Sequence, residues 1–214
     1  SAEAYYYLGN ALLAQNKSGE AVVSFEKALR LRPGLAEAHC NLGDALQKQG
    51  NLTEAEGHYR EALRLKPGFA QAHINLGITL QRLEKLDEAV EHFKLVLRFN
   101  PRAAEVHYHL GNVLVEQDKD SEAEICFREA VRLRPDFALA QNNLGMALHA
   151  RHQFEQAIAC YRTAIALDPG VAGIYNNLGI TLYAQGRHET AVEQYRKAVE
   201  VDPGSSFIEV DGLR

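Results

Sequence analysis

All six prolines of the chain stand 34 residues apart, and this spacing constrains the fold more than any other feature of the sequence. They are Pro33, Pro67, Pro101, Pro135, Pro169 and Pro203. A glycine and an alanine recur with the same period, as Gly43 and Ala55 do in the second copy. A fixed period of this length is typical of a stacked array of helical repeats. The sequence therefore predicts a repeat array rather than one or two ordinary globular domains.

Each repeat is predicted to contain two helices joined by a tight turn. In the second repeat, apolar residues recur at helical spacing around Leu42. Gly50 and Asn51 then interrupt this pattern, and a second helical pattern follows them. Pro67 ends that helix because proline cannot continue the hydrogen-bond ladder, and Gly68 is expected to adopt a left-handed closing conformation. The predicted fold class is all-α, with about twelve helices. The predicted repeats are residues 2–35, 36–69, 70–103, 104–137, 138–171 and 172–205, followed by a tail at 206–214.

The small residues of the repeat predict close packing inside each helix pair. Gly43 in the first helix and Ala55 in the second are expected to let the two backbones approach where they cross. An aromatic residue, Tyr59 in this repeat, is expected to fill the space beside them.

Composition narrows the classes of partner and compartment. The formal net charge of -5 disfavours a nucleic-acid partner, because phosphate attraction needs excess positive charge. Cys40, Cys126 and Cys160 form no paired motif, which favours a reducing compartment such as the cytoplasm. No apolar run is long enough to predict a membrane span. Because the chain opens without methionine and already in repeat register, we expect it to be a fragment of a longer protein.

The sequence contains no motif that predicts catalysis, a cofactor or a metal site. A phosphate-binding loop, a nucleophile elbow and a zinc-protease motif are all missing from it. His149, His152 and Glu155 are the best metal candidates, but the turn between His152 and Glu155 breaks their shared helical face. The histidines at the fourth position of three repeats are instead expected to pack between repeats; they are His39, His73 and His107.

The repeat resembles the tetratricopeptide repeat (TPR) in all six copies. The matching residues of the second copy are Leu42, Gly43, Leu46, Ala55, Tyr59, Ala62 and Pro67. The resemblance covers 204 of the 214 residues, although the tryptophan common at the fourth position is replaced throughout. It implies a right-handed α-solenoid whose first helices line a concave groove. It also implies a non-catalytic scaffold that binds a protein or an extended peptide in that groove.

The sixth position of the repeats supplies the candidate binding row. After Tyr7 in the first repeat, the row continues through Asn41, Asn75, His109, Asn143 and Asn177. An asparagine offers a donor and an acceptor, so it can bond a peptide backbone without reading its side chains. The row resembles the asparagine ladder in the TPR superhelix of O-linked N-acetylglucosamine transferases. Asparagine is also frequent at this position in the repeat family, so the row is equally compatible with a solvated face. The other candidate groove residues are Asn10, Asp44, Asn112, Met146, Ile180, Tyr6 and Tyr108.

The predicted groove changes character along the chain. Acidic residues occur in the first four repeats, at Glu3, Glu37, Asp44, Glu105 and Glu116. Apolar residues replace them in the last two repeats, at Leu139, Met146, Ala150, Ile180 and Ala184. We therefore expect a ligand with basic or polar groups early and apolar anchors late. Two other uses stay open: the substrate-recruiting arm of a glycosyltransferase-like enzyme, or a scaffold that self-associates through its uncapped terminal repeats.

Overall fold

The computed structural model describes residues 1–204, which form twelve α-helices. The helices are α1 (Ala2–Ala14), α2 (Ser18–Leu31), α3 (Ala36–Lys48), α4 (Leu52–Leu65), α5 (Ala70–Arg82), α6 (Leu86–Phe99), α7 (Ala104–Glu116), α8 (Asp120–Leu133), α9 (Ala138–Ala150), α10 (Phe154–Leu167), α11 (Ala172–Ala184) and α12 (His188–Val201). The predicted all-α, helix-turn-helix class is therefore confirmed. Among residues 1–204, no helix is both long and apolar enough to cross a membrane. The expectations for the tail at 206–214 lie outside the described residues.

The helices belong to two compact units. Unit 1, Ser1–Gln117, contains α1 to α7, and unit 2, Asp118–Arg214, contains α8 to α12. Within each unit every helix packs against the next one along the chain. The odd-numbered helices, which open each repeat, also contact one another within a unit: α1 with α3, α3 with α5, α5 with α7, and α9 with α11. Each unit thus has a surface built from the first helices of its repeats, and we call it the first-helix face.

A left-handed residue closes the first helix of each pair. At the end of α3, the N–H groups of Gly50 and Asn51 donate to the carbonyls of Gln47 and Leu46, and Gly50 has φ +85°. This pairing satisfies carbonyl groups that the helix end would leave open. The equivalent residues also have positive φ: Asn16, Glu84, Asp118, His152 and Gly186.

The second helix of each pair ends differently from the prediction. Among the described glycines only Gly50 and Gly186 have positive φ, so the left-handed conformation expected at Gly68 is wrong. The chain instead leaves α4 through Lys66, which is extended at φ -139°. Because Pro67 follows, the preceding residue is already biased towards extended backbone and needs no left-handed glycine.

The first-helix glycines make room for aromatic rings of the second helix. A Cβ built on Gly43 would lie 2.6 Å from Cε1 of Tyr59, whose side chain is fully buried. Similar distances are found for Gly9 against Phe25 and for Gly145 against Tyr161. The expected close packing within each pair is present, and the aromatic ring is the partner that requires a glycine.

Ring side chains at the fourth position join a repeat to the one before it. His39 Nε2 lies 3.0 Å from the carbonyl oxygen of Pro33, and His73 Nε2 lies 2.9 Å from that of Pro67. In unit 2 the hydroxyl of Tyr175 donates to the Pro169 carbonyl over 3.3 Å. A polar ring at this position therefore satisfies the carbonyl of the repeat-ending proline, as expected for residues that pack between repeats.

Candidate peptide-binding faces

Asn41 lies on the first-helix face of unit 1 and is partly engaged. Its Nδ2 donates to Oδ1 of Asn10 over 2.7 Å and lies 3.4 Å from the hydroxyl of Tyr6. The side chain is half-buried, and its carbonyl oxygen makes no hydrogen bond among the described residues. That oxygen is therefore available to accept an N–H from a bound peptide.

Asn75, the next member of the row, is occupied at both ends of its amide. Its Nδ2 donates to Oδ1 of Asp44 over 2.5 Å, and its Oδ1 accepts from Nε2 of Gln71 over 2.7 Å. The residue is only 9% exposed. Asn75 thus ties α5 to α3, and a peptide would have to displace these bonds to use it.

Asp44 belongs to the same internal network. The hydroxyl of Tyr59 lies 2.7 Å from its Oδ1 and 2.9 Å from Oε1 of Gln47. Burial raises the pKa of the Asp44 carboxyl, although the hydrogen bonds from Tyr59 and Asn75 oppose that change. Burial beside this carboxyl also raises the pKa of the Tyr59 hydroxyl. The Asp44 carboxylate therefore accepts hydrogen bonds from buried donors and contributes little negative potential to an open groove.

Aromatic rings surround the last member of the row in unit 1. His109 stacks on Phe93 with ring centroids 5.8 Å apart and meets Tyr108 edge-on at 5.4 Å. Burial lowers the pKa of His109, which keeps the imidazole neutral near pH 7. Asn112, a half-buried residue, lies one turn further along α7.

The first helix presents an exposed aromatic residue at the other end of unit 1. Tyr7 is 66% exposed, and its ring meets that of Tyr6 edge-on at 5.4 Å. Tyr6 also lies against Phe25, at 6.2 Å between centroids. Tyr5 instead faces the ammonium of Lys27, 5.6 Å from its ring centre. Tyr7 is therefore the tyrosine of this run with most surface available for contact.

Two acidic residues of unit 1 that were expected to shape the groove are paired with cations. Glu3 forms an ion pair with Arg32 at 2.5 Å, and Glu37 forms one with Lys66 at 3.0 Å. The hydrogen bond from Lys66 lowers the pKa of Glu37. These pairs join the start of a first helix to the end of its second helix, so the acidic character of this face is weaker than the sequence suggests.

In unit 2, α9 and α11 carry a short chain of asparagines. Nδ2 of Asn177 donates to Oδ1 of Asn142 over 3.0 Å, and Nδ2 of Asn142 donates to Oδ1 of Asn143 over 3.0 Å. The carbonyl oxygen of Asn177 accepts no hydrogen bond among the described residues, and its side chain is half-buried. Asn177 thus matches Asn41 in leaving an acceptor open.

Apolar side chains lie beside these amides. Leu139 is 50% exposed and Met146 is 48% exposed, and they stand seven residues apart on one face of α9. Nδ2 of Asn142 lies 3.6 Å from Sδ of Met146, which places an amide against the thioether. Ile180 on α11 is half-buried. Unit 2 therefore combines hydrogen-bonding groups and open apolar surface on its first-helix face.

The metal candidate of unit 2 does not assemble. Among residues 1–204, no three histidines, cysteines or carboxylates stand close enough to hold a metal ion. His149 Nδ1 lies 2.9 Å from the hydroxyl of Thr181, and the ring of His152 meets Phe154 edge-on. His152 lies in the turn after α9, with φ +59°, whereas His149 lies within that helix.

Two histidine pairs in unit 1 were not predicted. Nδ1 of His39 lies 3.1 Å from Nδ1 of His58, and the same atoms of His73 and His92 lie 2.8 Å apart. Burial lowers the pKa of His92 to about 4, so the His92 imidazole is neutral at pH 7. The available signal was a histidine recurring 19 residues after the first in two consecutive repeats.

The helix pairs, their 34-residue period and their aromatic-glycine contacts define a tetratricopeptide-repeat protein. A family model described as the Cilia and flagella-associated protein 70 C-terminal domain matches residues 1–207. The chain therefore belongs to this family of TPR domains. The comparison with curated proteins found no match.

Solved structures show the same fold. The crystal structure of YrrB, described as a TPR protein with an unusual peptide-binding site, is 27% identical, with a TM-score of 0.68 over 84% of this chain and 93% of that one. MamA from Desulfovibrio magneticus RS-1 is 26% identical, with a TM-score of 0.73 over 80% of this chain and 97% of that one. PilF from Pseudomonas aeruginosa is 22% identical, with a TM-score of 0.84 over 95% of this chain and 93% of that one. At this identity it shows similarity of fold alone.

Proposed function

We propose that this protein is a non-catalytic scaffold that binds an extended polypeptide segment on its first-helix faces. The observation that carries the proposal is the exposure of Leu139 and Met146 beside the Asn142 amide on α9. A surface that joins open apolar area with oriented hydrogen-bonding groups suits an extended peptide, which presents apolar side chains and backbone amides together.

Each part of this surface has a separate role. Met146 is unbranched and polarizable, so it adapts to different apolar side chains of a ligand. The open carbonyl oxygen of Asn177 accepts a backbone N–H and contributes binding that does not depend on the ligand sequence. Asn41 offers the same acceptor in unit 1, where exposed Tyr7 supplies aromatic contact area.

The comparisons support this function in its coarse form. The chain belongs to a TPR family, and one of its structural relatives, YrrB, is described as having a peptide-binding site. TPR arrays present extended surfaces built from successive repeats, which suits binding of a long segment better than chemistry at one point.

The test is a peptide-display selection against the whole chain, followed by fluorescence polarisation of the best binder. Met146→Glu is expected to weaken that peptide at least 10-fold, because it places a charge against the apolar anchor. The matched control is Ile125→Glu in α8, since Ile125 is 68% exposed in the same unit but lies on a second helix. Loss of affinity in the control, or none in Met146→Glu, would place binding elsewhere.

A second variant tests the amide. Asn177→Ala is expected to weaken the selected peptide roughly 5- to 10-fold, the effect of losing one hydrogen bond. Methylation of the peptide nitrogen that donates to Asn177 should weaken binding to the wild-type protein. The same methylation should leave the affinity of Asn177→Ala unchanged. Equal effects of methylation on both proteins would remove Asn177 from the binding surface.

A further inference from the structure

A cavity of about 300 Å³ lies between α10, α11 and α12 of unit 2, away from the residues proposed to hold the peptide. Three cationic residues line it, Arg162, Arg187 and Lys197, together with a single carboxylate, Glu193. The rest of the lining includes Ile165, Leu178 and Leu182. A concentration of positive charge is unexpected in a chain with a net charge of -5.

The repeats themselves show what Arg162 lacks. Arg60 and Arg128 occupy the same repeat position, and each is paired with the glutamate four residues earlier, Glu56 at 2.9 Å and Glu124 at 2.7 Å. Ile158 stands four residues before Arg162, so that carboxylate is missing.

The next repeat does not replace the missing carboxylate. Arg60 also donates to Glu88 over 2.6 Å, and Arg128 donates to Gln156 over 3.1 Å. The residue that corresponds to these two acceptors for Arg162 is Thr190, whose hydroxyl already donates to the Arg187 carbonyl over 2.9 Å. Within residues 1–204, neither Arg162 nor Lys197 forms an ion pair or a side-chain hydrogen bond.

The equivalent cleft of unit 1 shows that packing does not require these charges. It is lined by Leu29 and Leu42, the counterparts of Ile165 and Leu178, and it has Glu26 where unit 2 has Arg162. The same apolar contacts therefore form around a carboxylate or a guanidinium. Arg30 also lines the unit 1 cleft and is paired there with Glu26 at 3.7 Å. Arg162 and Lys197 correspond to Glu26 and Glu61 of unit 1, so stacking of the repeats does not require their positive charges.

We propose that this cleft binds an acidic side chain of a partner polypeptide, a carboxylate or phosphoryl group next to an apolar residue. The two unpaired cations are the donors for the anionic group, and a guanidinium can hold two of its oxygens at once. Ile165, Leu178 and Leu182 provide contact for an adjacent apolar residue. A cavity of this volume with Glu193 in its wall accommodates one anionic group and suits a peptide better than a polyanion.

The experiment uses the whole chain and short peptides with one glutamate or one phosphoserine between two leucines. The matched neutral probe carries glutamine in place of the acidic residue. By isothermal titration calorimetry at low salt, we expect the acidic peptides to bind at least 10-fold more tightly than the glutamine peptide. Arg162→Gln and Lys197→Gln should each weaken the acidic peptides at least 5-fold, with thermal unfolding showing that both variants fold.

Arg196→Gln is the control, because Arg196 is exposed on α12 beside Lys197 but does not line the cleft. Binding that falls equally in this control, or that is equal for the glutamine peptide, would overturn the proposal. Binding of inorganic phosphate alone, or of single-stranded RNA through the same two residues, would also overturn it. Met146→Glu should leave acidic-peptide binding intact, so failure of the cleft and failure of the first-helix face are distinguishable.

Discussion

At the scale of single residues, the contact between a first-helix glycine and its aromatic partner has the least tolerance for change. A methyl group on Gly43 would meet the ring of Tyr59 at 2.6 Å, and that ring is fully buried with its hydroxyl 2.7 Å from Asp44. The ring cannot move aside without disturbing this hydrogen bond. Gly43→Ala is therefore expected to lower the free energy of unfolding by about 1–3 kcal/mol, as measured by urea denaturation.

A second glycine provides the control for this prediction. Gly57 lies within α4 and is exposed, and a methyl group added to it would have no neighbouring atom within 4 Å. Gly57→Ala should stabilise the protein by about 0.5–1 kcal/mol, because alanine favours the helix without meeting a neighbour. If the two substitutions changed stability by the same amount, contact with Tyr59 would not be the cause.

At the scale of elements, the turn between paired helices contains a residue under backbone strain. Glu84 has φ +59° and is exposed, whereas Gly50 occupies the equivalent turn without a side chain. Glu84→Gly is expected to raise the free energy of unfolding by about 0.5–1 kcal/mol, since glycine adopts this conformation freely. Gly50→Ala should lower the free energy of unfolding by about 1 kcal/mol, because alanine is strained in this conformation. Thermal and urea unfolding of both variants check the prediction, and a destabilised Glu84→Gly would contradict it.

A buried carboxylate connects successive helix pairs in unit 1. Glu56 on α4 is 8% exposed and bonds Lys85 at 2.8 Å and Arg60 at 2.9 Å, while Arg60 also reaches Glu88 on α6. Burial alone would raise the pKa of Glu56, but the hydrogen bonds from Lys85 and Arg60 outweigh it and lower the pKa below 4.5. The folded state therefore holds this proton more weakly than the unfolded state does.

The sign of this difference predicts how acid affects stability. The contribution of Glu56 is fully present above about pH 4.5 and is lost as the pH falls through its lower folded-state pKa. Glu56→Gln should lower the free energy of unfolding at pH 7 by about 1–2 kcal/mol and should show a smaller further loss than wild type between about pH 6 and 3. Glu91→Gln, at an exposed position of α6, is the control and should follow wild type. Parallel pH profiles of wild type and Glu56→Gln would show that this carboxylate does not contribute.

At the scale of the whole molecule, net charge determines which polymers the protein attracts. With 23 basic and 28 acidic residues, the chain repels a polyanion at long range. Single-stranded RNA should therefore not be retarded in a gel-shift assay even at low salt, where phosphate contacts are strongest. Retardation that disappears as salt rises would contradict this expectation.

The whole array also shows how far the sequence predicts the structure. The helix pairs could be predicted because proline and the helical spacing of apolar residues act locally, within one repeat. The hydrogen bond from Asn75 to Asp44 could not be predicted, since it depends on the side-chain rotamers of two neighbouring repeats. The ion pair between Glu3 and Arg32 lies within one repeat, but the spacing of acidic residues did not indicate it, since it depends on the packing of α1 against the end of α2.

The array of TPR helix pairs follows from the amino-acid sequence alone, because a 34-residue period repeats the same local chemistry in every copy. Which polar groups remain open to a partner depends instead on how the helices pack. Asn75 is used internally, whereas Asn41 and Asn177 keep a carbonyl oxygen available. The physical reason is that a buried polar group needs a hydrogen-bond partner, and only the packing of neighbouring repeats decides whether the protein itself provides one.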